Sequence, residues 1–263
     1  MDFSSLKGKM EYYKSLADYK LLPNSFVIAH IDGRSFSKKV KKRFKLPFDD
    51  EFMNLMDDTA AYVCKQVQGC KLAYVQSDEI SLIIYDGYES GSSFFGYRLC
   101  KMQSIIASLA TCYFNQKFIE MLFNKGCKPE EIFTARNLFQ FDCKCFNVPN
   151  YNDAFAWIKY RQNDCIKNSR QQAAQTYLPH KELLKKTAEE QVALLGEKKG
   201  IDWNMYPEGC KYGRLVYKEA VQLTTDDGTD YTRHQFKSHP SKIVDREWFD
   251  DLWASFFLDV NKN

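Results

Sequence analysis

Two short apolar runs that only four residues separate constrain the fold of this chain more than any other feature. KLAYV (71–75) and ISLIIY (80–85) are rich in β-forming residues, and QSDE (76–79) lies between them. Runs of this length, joined by so short a connection, are typical of an antiparallel hairpin. The pattern therefore predicts two paired strands with Asp78 and Glu79 at their turn.

The segments around this hairpin alternate between strand and helix patterns. Residues 26–32 (FVIAHID) are typical of a buried strand, 52–67 and 99–118 have helical apolar spacing, and 139–148 predicts a further strand. This β-α-β-β-α-β order predicts an α+β, ferredoxin-like (split βαβ) fold, with two helices on one face of a four-stranded antiparallel sheet. Polymerase and nucleotidyl-cyclase palm domains share the order, but one such fold hosts many functions.

The second half of the chain has a different pattern. Residues 151–195 are largely helical in their spacing, while 214–223 and 232–236 predict a β-hairpin. We therefore predict a palm-like domain over residues 1–150 and a helical and β-hairpin extension over 151–263 that packs on it.

Composition narrows the class of protein. The 263 residues include 37 Lys and Arg against 34 Asp and Glu, so any nucleic-acid site must be a local feature. We expect no membrane partner, because no apolar run approaches the roughly 20 residues of a membrane-spanning helix. Nine scattered cysteines indicate reduced thiols in the cytoplasm, with an organelle as the alternative. For Cys143 and Cys145, strand packing is favoured over a zinc site.

Carboxylates at one predicted edge of the sheet are the main candidates for chemistry. Asp32 ends the first strand and Asp78 lies in the hairpin turn, and the first and third strands of a split βαβ sheet are neighbours. The two carboxylates should therefore meet beside the Gly33 carbonyl. Such a set of hard oxygens suits Mg²⁺ ions bound together with substrate phosphates. Turn residues that only satisfy local backbone groups are an equally compatible alternative.

Two groups of cations are candidates for phosphate contacts. The basic run at 38–45 by itself predicts a solvated surface, and beside a metal site it becomes a candidate for phosphate binding. Arg98 and Lys101 share one helical face, and they either hold a triphosphate or are ordinary surface charges.

Six motifs occur in this chain in the same order as in the members of one protein family. They are HIDGRSFS (30–37), LPFDD (46–50), MDDTA (56–60), AYVQSDEIS (73–81), FDCKCFNVP (141–149) and YRQNDCIKNS (160–169). With this combination, the chain resembles the tRNA-His guanylyltransferase superfamily over roughly residues 5–220. The resemblance implies a polymerase that extends RNA in the 3′-to-5′ direction. ATP or GTP activates the 5′-phosphate of a tRNA, and the 3′-hydroxyl of a nucleoside triphosphate then attacks that phosphate.

The resemblance also implies roles for individual residues. Asp32, the Gly33 carbonyl and Asp78 would bind two Mg²⁺ ions, and Glu79 would be the adjacent catalytic acid. The nucleotide and its triphosphate would contact Gly33, Arg34, Ser35, Phe36, Ser37, Ser77, Arg98, Lys101 and Asn168. Weaker contacts to tRNA or its phosphates would come from Lys38, Lys41, Lys42, Arg43, Arg161 and Lys167. The family is usually tetrameric, which predicts a homotetramer.

Three departures from the guanylyltransferase pattern indicate the branch that the chain resembles. Ser37 replaces a histidine, Leu46 replaces a lysine, and IKNS (166–169) with Gln171 replaces a His-Ile-Asn motif and a tyrosine. The pattern is similar to the guanylyltransferase-like branch, which repairs 5′-truncated tRNA by templated addition. We therefore predict a template-dependent repair polymerase. The alternatives are addition of the extra guanosine to tRNA-His, a non-catalytic tRNA-binding protein and, more distantly, a nucleotide cyclase.

Overall fold

The strands of the chain form one six-stranded antiparallel sheet. The computed structural model describes residues 3, 5–87, 93–132, 138–225, 227–242 and 244–258, without the side chains of residues 131 and 256–258. The strands are β1 (Phe26–Gly33), β2 (Cys70–Gln76), β3 (Glu79–Ile84), β4 (Phe141–Val148), β5 (Arg214–Thr224) and β6 (Asp230–Pro240). Their order in the sheet is β4-β1-β3-β2-β5-β6.

The first four strands confirm the predicted ferredoxin-like fold. β1 and β3 are adjacent at the centre and pair antiparallel, with Asp32 opposite Glu79. The β2–β3 hairpin also forms, and its ladder extends to the pair Gln76 and Glu79. Because the strands run one residue further than predicted at each end of the turn, only Ser77 and Asp78 make the connection.

Helices connect these strands and cover both faces of the sheet. They are α1 (Leu6–Ser15), α2 (Phe36–Arg43), α3 (Asp50–Gln66), α4 (Leu99–Asn124), α5 (Pro129–Ile132), α6 (Tyr151–Tyr177), α7 (His180–Leu183), α8 (Ala188–Lys199), α9 (Glu208–Tyr212) and α10 (Arg246–Leu258). Asp49 caps α3, since its Oδ1 accepts the N–H of Phe52 at 3.0 Å. Among the described residues, no helix is long and apolar enough to cross a membrane.

Successive side chains of β1 point to opposite faces of the sheet and so belong to two separate layers of the core. Val27, Ala29 and Ile31 pack with the apolar faces of α3 and α4, as predicted. Ile28 points to the other face, where it packs with residues of α6 and α10. The helical extension therefore covers the second face of the sheet.

The predicted second hairpin forms and lengthens the sheet. β5 pairs with β2 between Arg214 and Tyr217, and it pairs with β6 along its whole length. The sheet thus runs across residue 150, and the division of the chain into two domains there stays a prediction. The basic run forms α2, which the sequence did not predict as a helix. Buried Phe36 and Phe44 hold its two ends.

Candidate active site

Acidic side chains gather at the edge of the sheet where β1 ends. Asp32 lies opposite Glu79 on β3 and opposite Asp142 on β4. Directly opposed residues of antiparallel strands project to the same face, so these three carboxylates are neighbours. Asp78 approaches from the turn, and its Oδ2 would lie 2.8 Å from a Cβ on Gly33. Asp142 is an acid that the sequence does not reveal, because only the register of β4 brings it opposite Asp32.

Burial and the neighbouring negative charges raise the pKa of Asp32 and of Asp78. Burial, followed by the charges of Asp32 and Glu79, raises the pKa of Asp78 to about 6. The Ser77 hydroxyl opposes this shift, since it donates to Asp78 Oδ1 at 3.1 Å. Burial, Glu79 and Asp142 raise the pKa of Asp32 as well. Such perturbed carboxyls are typical of functional sites.

Both turns at this edge hold a serine in the left-handed region. Ser35, after β1, has φ +58°, and Ser77, in the β2–β3 turn, has φ +45°. Non-glycine residues rarely adopt this conformation, and it costs about 1 kcal/mol or more. Packing of the surrounding strands and α2 must outweigh this cost, which favours a functional role for the geometry of the two turns.

The donors at this edge fit a hard divalent cation. Asp32 and Asp78 supply carboxylate oxygens, and Asp78 fills the space beside Gly33 that a side chain would otherwise need. In the described part of the chain, no three His, Cys, Asp or Glu side chains are arranged to hold a metal. Mg²⁺ that binds with substrate phosphates needs only one or two carboxylates.

The predicted cysteine pair lies on β4. Cys143 and Cys145 share one strand face with their Sγ atoms 3.7 Å apart.

A cavity of about 500 Å³ opens beside the acidic edge, between the α2–α3 segment and α6. The predicted site residues among its lining are Phe36, Ser37, Lys41, Ser77, Asp78, Glu79 and Asn168. Arg34 points elsewhere, with Nη1 3.5 Å from Gln140 Oε1, and Ser35 is exposed where α2 begins. The cavity has room for a nucleotide-sized ligand.

The departures from the guanylyltransferase pattern are concentrated in this cavity. Ser37, Leu46 and Gln171 all line it. Lining residues that were not predicted from the sequence include Cys210 and the buried Arg214, whose Nε donates to Asp57 Oδ1 at 2.5 Å. They come from β5 and α9, which no local pattern connects with the acidic motifs.

The predicted cations lie in three different places. Lys38, Lys41, Lys42 and Arg43 are exposed on α2, and Lys167 is exposed on α6. Arg161 is only 8% exposed, and its Nη2 contacts Glu79 and lies 3.0 Å from Asp164 Oδ2. This burial differs from the surface contact to phosphate that the sequence suggested, because α6 turns Arg161 towards the sheet.

Arg98 and Lys101 lie at the opposite end of the sheet. Arg98 pairs with Asp18 at 2.7 Å, and Lys101 lies over the Phe95 ring. Further along α4, Thr111 accepts the N–H of Phe141, the residue that lies opposite Gly33 on β1. A helix rises 1.5 Å per residue, so Arg98 is about 20 Å from the acidic edge of the same chain.

Comparisons with known proteins identify the family to which the chain belongs. Residues 7–149, more than half of the chain, match the sequence profile of the Thg1 family, described as tRNAHis guanylyltransferase. The chain is 28% identical to tRNA(His) guanylyltransferase 1 of Arabidopsis thaliana, covering 93% of this chain but 44% of that protein. It is 29% identical to tRNA(His) guanylyltransferase of Schizosaccharomyces pombe, covering 97% and 98% of the two chains.

Solved structures show the same similarity. A bacterial tRNA(HIS) guanylyltransferase (Thg1)-like protein in complex with ATP superposes with a TM-score of 0.78 at 28% identity, covering 94% of this chain and 98% of the other. A bacterial tRNA(HIS) guanylyltransferase (Thg1)-like protein in complex with GTP superposes with a TM-score of 0.74 at 27% identity, with the same coverage. The family resemblance and the fold prediction are thus confirmed. The chain belongs to the Thg1 family, and it is a nucleotidyltransferase.

Proposed function

We propose that this enzyme repairs 5′-truncated tRNA by adding nucleotides in the 3′-to-5′ direction, with the opposite strand of the acceptor stem as template. One observation carries the choice of repair over addition of a guanosine to tRNA-His. The three departures Ser37, Leu46 and Gln171 all line the cavity beside the acids. A changed cavity lining favours a changed choice of nucleotide. The match to the Thg1 family and the similarity to a Thg1-like protein support nucleotidyl transfer to the 5′ end of a tRNA, which both activities share.

The reaction proceeds in two displacements. An oxygen of the tRNA 5′-monophosphate attacks the α-phosphorus of ATP, and pyrophosphate leaves. The 3′-hydroxyl of the incoming nucleoside triphosphate then attacks the tRNA 5′-phosphorus, and AMP leaves. GTP is the alternative activating nucleotide. Both activation and addition transfer a phosphorus centre between oxygens, so positioning and charge neutralisation are the main tasks of the protein.

The chain's own residues meet these tasks at the acidic edge. Asp32, the Gly33 carbonyl and Asp78 would hold Mg²⁺, whose two ions would neutralise phosphate charge and polarise the reacting oxygens. Ser77 would contact a nucleotide phosphate, and Glu79 would be the adjacent acid. The α2 cations Lys38, Lys41, Lys42 and Arg43, together with Lys167, would contact tRNA phosphates.

We also propose a homotetramer. None of the ten residues of α1 is buried, although the helix carries several apolar side chains. Leu6, Met10 and Tyr13 are 77%, 47% and 53% exposed. A second copy of the chain would cover this face. If Arg98 and Lys101 bind the triphosphate of a nucleotide that reacts beside Asp78, their distance of about 20 Å along α4 favours cations supplied by such a neighbouring copy.

The cytoplasm is the proposed compartment. All nine cysteines are free thiols, which suits a reducing environment. Fractionation of cells with a cytosolic and a mitochondrial marker tests this location, and recovery with the mitochondrial marker would contradict it.

The activity can be tested with a 5′-monophosphorylated tRNA that lacks its first nucleotide. It is incubated with ATP, Mg²⁺ and each labelled nucleoside triphosphate in turn, while the base at position 72 is varied. We expect the added nucleotide to be complementary to base 72. Addition of guanosine whatever the base would favour guanylyltransferase activity on tRNA-His instead. Tight tRNA binding without any addition would favour the non-catalytic alternative.

A further inference from the structure

One guanidinium connects the acidic edge with the wall of the cavity. Nη2 of Arg161 contacts Glu79 Oε2 and lies 3.0 Å from Asp164 Oδ2. The same Asp164 oxygen accepts the amide Nδ2 of Asn168 at 3.2 Å. Glu79 and Asn168 line the cavity, so this path joins two of its walls.

Burial of Arg161 holds the centre of this path in place. The side chain of Arg161 is 10% exposed and that of Asp164 is 33% exposed. Glu79 is held a second time, because Gln76 Nε2 donates to its Oε2 at 2.8 Å. A buried guanidinium between two carboxylates is costly to disturb, since each partner would leave an unpaired charge.

The chemistry of Asp164 decides how the Asn168 amide is turned. An ionised carboxylate only accepts hydrogen bonds, so the Asn168 atom that contacts it must be the nitrogen. The other amide atom, Oδ1, is then the one left for a ligand in the cavity. An amide oxygen is an acceptor, and its natural partner is an O–H or N–H donor.

We propose that Asp164, held by Arg161, is a positioning residue that turns the Asn168 oxygen towards the bound nucleotide. The oxygen accepts a hydrogen bond from one donor of that nucleotide, either a sugar hydroxyl or an exocyclic amino group. This inference rests on the proposed function, because it requires that the cavity binds a nucleotide. It gives Arg161 a role inside the protein instead of a contact with tRNA.

Equilibrium binding of ATP and three analogues tests the proposal. The analogues lack the 6-amino group, the 2′-hydroxyl or the 3′-hydroxyl, so they distinguish the possible donors. For the unmodified protein we expect one analogue to bind about 3- to 10-fold more weakly than ATP, the effect of one hydrogen bond. Asn168→Ala and Asp164→Ala should bind ATP that much more weakly and no longer distinguish ATP from that analogue.

The conservative variant separates positioning from charge. Asp164→Asn keeps an acceptor oxygen for Arg161 and Asn168, so it should retain the preference for ATP that Asp164→Ala loses. Glu120→Ala, which removes a carboxylate from an exposed ion pair on α4, is the matched control and should change nothing.

Two results would overturn the positioning role. They are equal binding of all analogues by the unmodified protein, and a preference for ATP that persists in both Asn168→Ala and Asp164→Ala. Asp164→Asn that behaves like Asp164→Ala would point to the negative charge and also contradict the proposal. If the unmodified protein binds neither ATP nor any analogue, the proposed function itself fails.

Discussion

The Asp78 carboxylate fills the space beside Gly33 that a side chain would occupy. A Cβ on Gly33 would lie 2.8 Å from Asp78 Oδ2 and 2.5 Å from Cδ2 of Phe36. Both distances are shorter than a carbon atom allows. The absence of a side chain at residue 33 is therefore what lets the turn and the end of β1 meet.

Gly33→Ala should abolish most activity while the protein stays folded. The added methyl group must push away the Asp78 carboxylate or the Phe36 ring, and a displacement of about 1 Å at a catalytic centre can cost 100-fold in rate. Nucleotide addition and far-ultraviolet circular dichroism measure the two effects. Gly196→Ala on α8 is the control, because its Cβ would meet nothing closer than 3.8 Å. Equal activity of both variants would contradict the assignment of the active site to the edge where Gly33 meets Asp78.

Asp78→Asn should abolish activity and stabilise the metal-free protein at pH 7.5. The folded pKa of about 6 lies above the ordinary value of 3.8, so this carboxyl favours the folded state below pH 3.8 and loses that contribution as the pH rises through 6. Ionisation of Asp78 in the folded protein thus costs at most about 3 kcal/mol, which the amide avoids.

Urea unfolding at several pH values measures this effect. The gain from Asp78→Asn should shrink as the pH falls from 7.5 towards 4. Added Mg²⁺ should stabilise the unmodified protein more than the variant, because a cation compensates the buried charge. If Asp78→Asn is less stable than the unmodified protein at pH 7.5, ionisation of Asp78 does not destabilise the folded state as expected.

Mixing two inactive variants tests whether Arg98 and Lys101 act on a neighbouring copy. Asp78→Ala and the double variant Arg98→Ala, Lys101→Ala are each expected to lose activity. If the cations serve the partner's site, subunits mixed in equal amounts after dissociation should recover up to about a quarter of the original activity. In about a quarter of the sites, a subunit with intact Asp78 then meets a neighbour with intact Arg98 and Lys101. Light scattering reports the oligomer in parallel. A mixture that stays inactive although subunits have exchanged would exclude action across the interface.

Replacing Lys38 and Lys42 with alanine should weaken tRNA binding and reduce its dependence on salt. Each lost phosphate contact reduces the magnitude of the slope of log affinity against log salt concentration by about 0.9. The slope of the double variant should therefore be smaller in magnitude by nearly 2. Filter binding from low to moderate salt gives the slope. Lys198→Ala with Lys199→Ala removes the same charge from exposed residues at the end of α8 and should leave the slope unchanged.

The sequence predicted the central part of the fold because its signals are local. A short apolar run predicted β1, a four-residue connection required β2 and β3 to pair, and helical apolar spacing predicted α3. Together these fixed which strands are neighbours. They therefore also brought Asp32 and Asp78 to one edge of the sheet.

Packing between distant segments decided the rest. The sequence pattern of β5 and β6 showed a hairpin, but only its contact with β2 made it part of the sheet. No periodicity could show that Arg161 is buried against Glu79, because that depends on which face of α6 meets the sheet.

The sequence by itself determined the order of the elements, the acidic edge and the family to which the chain belongs, since motifs and periodicities are properties of short segments. The tertiary structure decided that Ser37, Leu46 and Gln171 share one cavity and that Arg98 lies far from Asp78. Distances between segments depend on how whole helices pack on the sheet, and the spacing of residues along a chain does not contain them.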